Sequence, residues 1–386
     1  MKVILLGSFA GNNAGDMVVL ESIIHDFIQL TECGIQDTKQ SLFRGMGQGM
    51  DIELVVPALN EKGIGFLNRV IGNHKHIMIT PVPIEKDVKV LVKAVKSLVS
   101  EFASADFIYT TAGILFDQKI WNPLYNFVAA YTPFLVWAKK VNPTVRIIGY
   151  NVGITSQKRS AGSIVLKKCI GLHDCIYLRE EKDEAVLKSL QYKGRIYHSA
   201  DNVFGFKSPK APHNSRKQKK KIYINLTLCG VEDKKQFLHE MIRFVKGMKQ
   251  DYDIYFFQTS TRDMEPAKIV CERACIDEKH IIFLGLLGYD RIQELLSDCD
   301  VLIGMRMHSI IFALKGGCPV VAIQYSSKVK SLMQTIQLDN WLIGIRDVSA
   351  EILAAKVDGI IKQRDAVTKH IYCETERLYL ACNKYK

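Results

Sequence analysis

Long apolar runs are missing from this chain of 386 residues. Stretches such as VKVLVKAV and IIFALKGGCPVVAI stop well short of the roughly 20 residues that a membrane span needs. The opening MKVILLGSFAGNNAGD turns to Gly, Asn and Asp too soon for a signal peptide and reads as a first β-strand. A soluble, cytoplasmic protein is the expectation. None of the ten cysteines forms a Cys-x-x-Cys pair. Cys271 and Cys275, at i and i+4, could hold half a metal site, yet no second pair at ligand spacing accompanies them. Reduced thiols and no metal are expected. Neither a G-x-G-x-x-G fingerprint nor a P-loop occurs. Internal repeats, low-complexity tracts and recognised nucleic-acid motifs are absent too, so no nucleic-acid partner is expected.

What is present describes a globular protein. With 48% hydrophobic and 24% charged residues and a mean hydropathy of +0.03, the chain can bury a core, and its length suits two or three domains. Lys and Arg exceed Asp and Glu by 52 − 40 = 12. Seven of the positive charges fall in one acid-free run, Lys207 to Lys221 (KSPKAPHNSRKQKKK). With no aromatics interleaved, it reads first as a solvated linker, and second as a means of attraction to anionic lipid head groups.

Strand-like runs alternate with amphipathic stretches on both sides of that linker. MKVILLG, DIELVVP, HIMITP, DFIYTT, VRIIGYNVG, DCIYLR and RIYHSAD precede it; KIYINLTL, YDIYFFQ, HIIFLG, CDVLIG and CPVVAIQY follow. Helices are predicted over residues 18–30, 86–100, 123–140, 180–190 and 234–248. Such alternation predicts an α/β protein of two facing Rossmann-like domains with mostly parallel sheets. The expected division is 1–206, the basic linker 207–221, 222–348, and C-terminal helices over 349–386 packing back on the first domain. In open parallel sheets ligands sit beyond the carboxyl ends of the strands, which directs attention to those loops.

Four such loops stand out. Gly11-Asn12-Asn13-Ala14-Gly15-Asp16 lies between a strand and a helix, where glycines permit close backbone approach and Asp16 could cap the helix. Thr110 to Asp117 brings small residues, then Phe116 and Asp117, an aromatic and an acid of the kind sugar sites pair. Arg179 follows a strand and by default pairs with a neighbouring acid on the surface. Most informative is Arg306-Met307-His308-Ser309 between a buried strand and a very apolar helix. It puts a permanent cation and a titratable imidazole at a helix N-terminus, where the helix dipole already favours an anion. Ser326, Ser327 and Lys328 add hydroxyls and a lysine at the next helix start, and together these residues read as an anion site.

These motifs together resemble the polysaccharide pyruvyl transferase family: Gly11-Asn12-Asn13-x-Gly15-Asp16, the Gly113-x-x-Phe116 loop, Arg179, Asp201, Arg306-Met307-His308, Gly317-x-Pro319 and Tyr325-x-x-Lys328. Departures are Ala112 where a second glycine is common, Met307 for the more usual Leu, and Asn202 where Pro is frequent. The resemblance implies a GT-B-like fold and transfer of a pyruvyl group from phosphoenolpyruvate, as co-substrate, to a sugar or lipid-linked oligosaccharide, forming a ketal. It implies donor binding by Arg306, Arg179, Ser326, Ser327 and Lys328, and His308 as acid/base. On the acceptor side it suggests Asn12, Asn13, Asp16 and Asp117 on sugar hydroxyls and Phe116 stacked on a sugar face. No cofactor is implied, and peripheral contact with the inner face of the membrane would come through the basic run.

Two rival readings remain at this stage. One is a GT-B-like glycosyltransferase using a nucleotide sugar, which usually has a carboxylate late in its second domain for the ribose. Here the first acid after Lys328 is Asp339. The other is a non-catalytic relative, against which the retained Arg306 and His308 count.

Overall fold

The structure, a computed structural model, describes residues 1–9, 11–33, 41–57, 60–84, 88–111, 116, 126–154, 161–209 and 219–386. Contacts divide the chain into two compact units. Met1–Gly11, Asp16–Phe206 and Leu378–Lys386 form the first; Asn12–Gly15 and Lys207–Arg377 form the second.

In the first unit seven strands are described: β1 (Lys2–Leu6), β2 (Ile52–Pro57), β3 (Ile77–Val82), β4 (Phe107–Thr110), β5 (Arg146–Val152), β6 (Cys175–Leu178) and β7 (Arg195–His198). All pair in parallel in the order β3-β2-β1-β4-β5-β6-β7. Helices α1 (Ala14–Cys33), α2 (Glu61–Ile71), α3 (Val88–Ala103), α4 (Phe127–Val141), α5 (Ala161–Gly171) and α6 (Asp183–Ser189) connect them. Val3 to Leu6 and Ile147–Ile148 are fully buried. Strands covered on both faces have no solvent side to keep polar, which is why they read as unbroken apolar runs. Ala94, Leu98 and Phe102, at i, i+4 and i+8, turn one stripe of α3 into this core.

The second unit repeats the plan. Its strands are β8 (Lys220–Asn225), β9 (Tyr252–Gln258), β10 (Ile281–Phe283), β11 (Val301–Gly304), β12 (Val320–Gln324) and β13 (Leu342–Gly344), parallel in the order β10-β9-β8-β11-β12-β13. Its helices are α7 (Lys234–Met248), α8 (Met264–Ala274), α9 (Tyr289–Leu296), α10 (Met307–Lys315), α11 (Ser327–Thr335) and α12 (Ala350–Lys362), followed by α13 (Arg364–Asn383). The strand order reverses between β1 and β4 in one sheet and between β8 and β11 in the other, so each unit has a Rossmann-type switch point. The chain is an α/β protein of two such units.

Several boundaries differ from the sequence reading. The basic run ends earlier than Lys221, because β8 begins at Lys220 and pairs Ile222 with Val301. The Lys221 ammonium is held by Asp298, and that of Lys219 by the Lys249 carbonyl at 3.1 Å. Arg216 and Lys217 lie outside the described residues. The helix expected from residue 180 starts at Asp183, after a turn. Strand β13 was not anticipated, since three residues carry no period to read.

Helix α13 serves both units. Its first part bonds in the second, where the Arg377 guanidinium donates to the Thr335 carbonyl at 2.8 Å. The segment after Leu378 belongs to the first: the Tyr385 ring meets Tyr177 and Tyr197 at 5.4 and 5.2 Å, and the Lys386 ammonium lies 3.0 Å from Asp26. Among the described residues, no helix is long and apolar enough to cross a membrane.

Candidate functional site

The second unit gathers most of the residues singled out above, at the carboxyl ends of β9, β8, β11 and β12. Asn225, the fully buried last residue of β8, ties three of these ends together. Its amide nitrogen donates to the Phe257 carbonyl at 2.9 Å. Its Oδ1 accepts from the backbone N–H of Arg306 at 2.8 Å and lies 3.0 Å from the Ser309 hydroxyl. The first turn of α10 is thus anchored at the switch point. Gly304 lets this helix approach its own strand, because a Cβ there would fall 2.6 Å from Ile310 Cγ1.

Arg306 is the N-cap of α10, with extended backbone (φ −73°, ψ 133°). Its Nε and Nη2 donate to Asp263 at 2.9 and 2.7 Å. Asp263 is completely buried in a short 3-10 turn, Thr261–Asp263, just past β9. The guanidinium also stands 5.9 Å from the centre of the Tyr325 ring, which follows β12. Burial works against its charge, but the hydrogen bonds and charge of Asp263, with Tyr325, outweigh it and hold the group above its ordinary value. The Nε–Nη2 edge grips Asp263, which fixes the side chain.

His308 occupies the first turn of α10, is buried, and stacks on Phe312 with ring centres 6.3 Å apart. Gly15 also lies against it. A Cβ on Gly15 would sit 2.1 Å from His308 Nδ1 and 2.6 Å from His308 Cβ, so the imidazole rests directly on the glycine backbone. Gly15 reaches it because residues 12–15 belong to the second unit. The Ala14 N–H donates to the Thr259 carbonyl at 2.8 Å, and Asn13 forms an antiparallel bridge with Ser260. Sequence order suggested that Asn12 and Asn13 line the first domain; instead they are held by the end of β9. The cap of α1 is Asn13, whose Oδ1 accepts from the Gly15 N–H at 3.1 Å, while Asp16 lies within the first turn. Ser326 stands at the N-cap position of α11 without a side-chain capping bond, with Ser327 exposed and Lys328 half-buried in the first turn. Two helix N-termini, of α10 and α11, thus stand at adjacent strand ends, and orphan N–H groups there favour an anion.

The first unit holds Arg179, directly after β6. The default of a surface residue is overturned: the side chain is almost wholly buried. Its Nη1 donates to Asp201 at 3.2 Å and its guanidinium lies across Gly153, where a Cβ would come within 3.0 Å of Nε. Nε is 3.6 Å from Glu180, beyond hydrogen-bond reach, and neither Nε nor Nη2 has a hydrogen-bond partner among the described residues. Burying such donors without an acceptor is costly. Phe116 is a correction. It is completely buried, bridges Ile154 and sets the His173 ring against its own at 5.2 Å and 86°, so it is a core residue and no sugar platform. Asp117 lies outside the described residues. Asn225, Asp263 and the seating role of Gly15 escaped the sequence reading. The run Gln258 to Asp263 at the carboxyl end of a strand was the available signal for Asp263.

Two Rossmann-type units define a GT-B-like fold, with a cation and an imidazole in one helix turn at the switch point of the second. The fold is shared with HepE of Anabaena in complex with UDP and glucose (TM-score 0.61, 13% identity, 99% of this chain and 95% of that one). It is shared as well with the UDP-GlcNAc 2-epimerase of Neisseria meningitidis bound to UDP-GlcNAc (TM-score 0.60, 11% identity, 100% and 98%). Residues 58–327 match the sequence model of the polysaccharide pyruvyl transferases, and the chain belongs to that family. Over 112 residues it is 27% identical to the amylovoran biosynthesis protein AmsJ of Erwinia amylovora, an alignment covering 29% of this chain and 25% of AmsJ.

Proposed function

We propose that this protein transfers a pyruvyl group from phosphoenolpyruvate to a sugar of a surface polysaccharide or its precursor, closing a pyruvate ketal. The donor carries a phosphate and a carboxylate, and each needs cations or free N–H groups. Arg306, the N-termini of α10 and α11, Ser326, Ser327 and Lys328 are the groups we assign to it, with Arg179 as a second cationic position. One sugar hydroxyl adds through oxygen to C2 of the donor while C3 takes a proton and becomes a methyl group. A second hydroxyl then attacks C2 and expels phosphate, so the two hydroxyl protons leave on the methyl group and on phosphate. His308 is the acid/base for these transfers, since its ordinary pKa lies near neutrality. Asn12 and Asn13, three and two residues from the Gly15 seat, are assigned to acceptor hydroxyls, with Asp16 beside them.

One observation carries this reading: Arg306, clamped by Asp263, and His308, seated on Gly15, share one helix turn at the switch point. We assign the reaction to the cytoplasmic face of a membrane holding a lipid-linked acceptor, with the basic run 207–221 attracted to it. Mass spectrometry of candidate sugar acceptors incubated with the protein and phosphoenolpyruvate tests the reaction. The added pyruvyl mass is expected. Glycosyl addition from a nucleotide sugar, with no pyruvyl product, would overturn it.

A further inference from the structure

The outer side of α3 is unlike that of an ordinary surface helix. Its core stripe is already occupied by Ala94, Leu98 and Phe102. Yet Val92, Val95 and Val99, at i, i+3 and i+7, form a second apolar stripe in solvent, 50%, 42% and 38% exposed. A surface helix normally carries polar residues there. Beside the valines runs a row of lysines, Lys89, Lys93 and Lys96, all exposed. Lys93 and Lys96 make no ion pair with any described residue, and the helix's one acid, Glu101, is turned away to Lys2 at 2.6 Å. The pattern continues on the neighbouring helix. Phe102 packs on Tyr131 and Phe134 of α4, with ring centres 6.5 and 5.3 Å apart. One turn beyond Phe134 stands Trp137, 40% exposed, followed by the exposed Lys140.

We propose that the α3–α4 face of the first unit docks on the surface of a bilayer rich in anionic lipid. Shallow insertion of the valine stripe and Trp137 places the lysine row at head-group level, where ammonium groups meet lipid phosphates. Charge complementarity selects this occupant: Lys93 and Lys96, exposed and without an ion pair to any described residue, suit an anionic plane, and an indole suits the boundary between acyl chains and head groups. None of these residues belongs to the basic run 207–221, and the proposal stands whether or not the pyruvyl reaction is correct.

Sedimentation of the full chain with vesicles tests it. Binding is expected to vesicles of phosphatidylcholine with 30–40% phosphatidylglycerol (a composition of roughly the usual anionic content), with little to phosphatidylcholine alone, and it should fall steeply with salt. Lys93→Gln with Lys96→Gln should weaken partitioning about 25-fold, about fivefold per lysine. Val95→Ser with Val99→Ser should weaken it about tenfold. Both pairs are exposed, so circular dichroism and melting temperature should stay unchanged. Absence of binding, or binding that both double variants leave intact, overturns the proposal. So does a concentration-dependent dimer that Val95→Ser with Val99→Ser abolishes, because a second copy would then cover the face.

Discussion

Replacing Gly15 by alanine tests how His308 is held. The new Cβ would lie 2.1 Å from Nδ1 and 2.3 Å from Cγ, and an ordinary contact begins near 3.4 Å, so the ring must retreat by 3.4 − 2.1 = 1.3 Å. Swinging the ring away about χ1 does not relieve the overlap, because His308 Cβ itself would be only 2.6 Å off. The first turn of α10 or the Asn12–Gly15 segment has to shift. Two stability effects oppose each other. Overpacking costs about 1–3 kcal/mol, while alanine for glycine inside a helix returns about 0.5–1 kcal/mol. A net loss of about 0–2.5 kcal/mol leaves the protein folded. Misplacing a reacting group by about 1 Å, in contrast, costs roughly 100-fold in rate. Steady-state kinetics with the competent acceptor should show kcat about 100-fold down, with a melting temperature within a few degrees of the parent. Full turnover in Gly15→Ala would refute the seating argument.

Further perturbations separate the other roles. His308→Gln should lower turnover about 10²–10⁴-fold while donor affinity, measured by calorimetry, changes far less; affinity collapsing in step would make it a binding residue. Arg306→Lys keeps the charge but loses both hydrogen bonds to Asp263, so donor affinity should fall, and Asp263→Asn should follow it in the same direction; unchanged affinity in both would remove the clamp from donor binding. In the first unit two buried groups oppose each other in acid. Burial pushes His173 down to about 4, against the pull of the Cys169 carbonyl, so its contribution to stability is full above its unfolded value near 6.5 and is lost as pH falls towards 4. Burial, with the charge of Glu180, pushes Asp183 up to about 6, so its contribution is full below 3.8 and is lost as pH rises through 6. Denaturant midpoints from pH 7 to 4 should therefore be shallow in the parent and fall on acidification in Asp183→Asn, which keeps an acceptor for the Ile154 N–H; parallel curves would contradict the assignment.

The parts of this site that sequence made legible are those carried by local pattern. Arg306 and His308 stand between an unbroken apolar strand and an apolar helix, and that junction can lie only at a strand's carboxyl end. The parts that were not legible depend on which strands become neighbours. Asp263 follows β9, and nothing in its own segment says that β11 stands two strands away in the sheet. Asn225 looked like the end of a strand, yet its amide joins β8, β9 and α10. Gly15 read as a turn glycine, although its need is for a missing Cβ. Phe116 misled because an aromatic after a strand looks the same whether it faces ligand or core. Asn12 and Asn13 misled because chain order assigned them to the first unit, whereas the Thr261 N–H donating to the Asn12 carbonyl and the bridge of Asn13 with Ser260 tie them to the second.

The central claim is that the α10 site takes phosphoenolpyruvate, and thermal unfolding with ligand measures this without knowledge of the acceptor. A ligand that binds only the native state at 100 times its dissociation constant adds about 2.7 kcal/mol, a rise of a few degrees in a chain of this size. The account predicts that phosphoenolpyruvate raises the melting temperature of the parent, that Arg306→Lys loses most of that rise, and that UDP leaves it unchanged. Protection by UDP with none by phosphoenolpyruvate would contradict it.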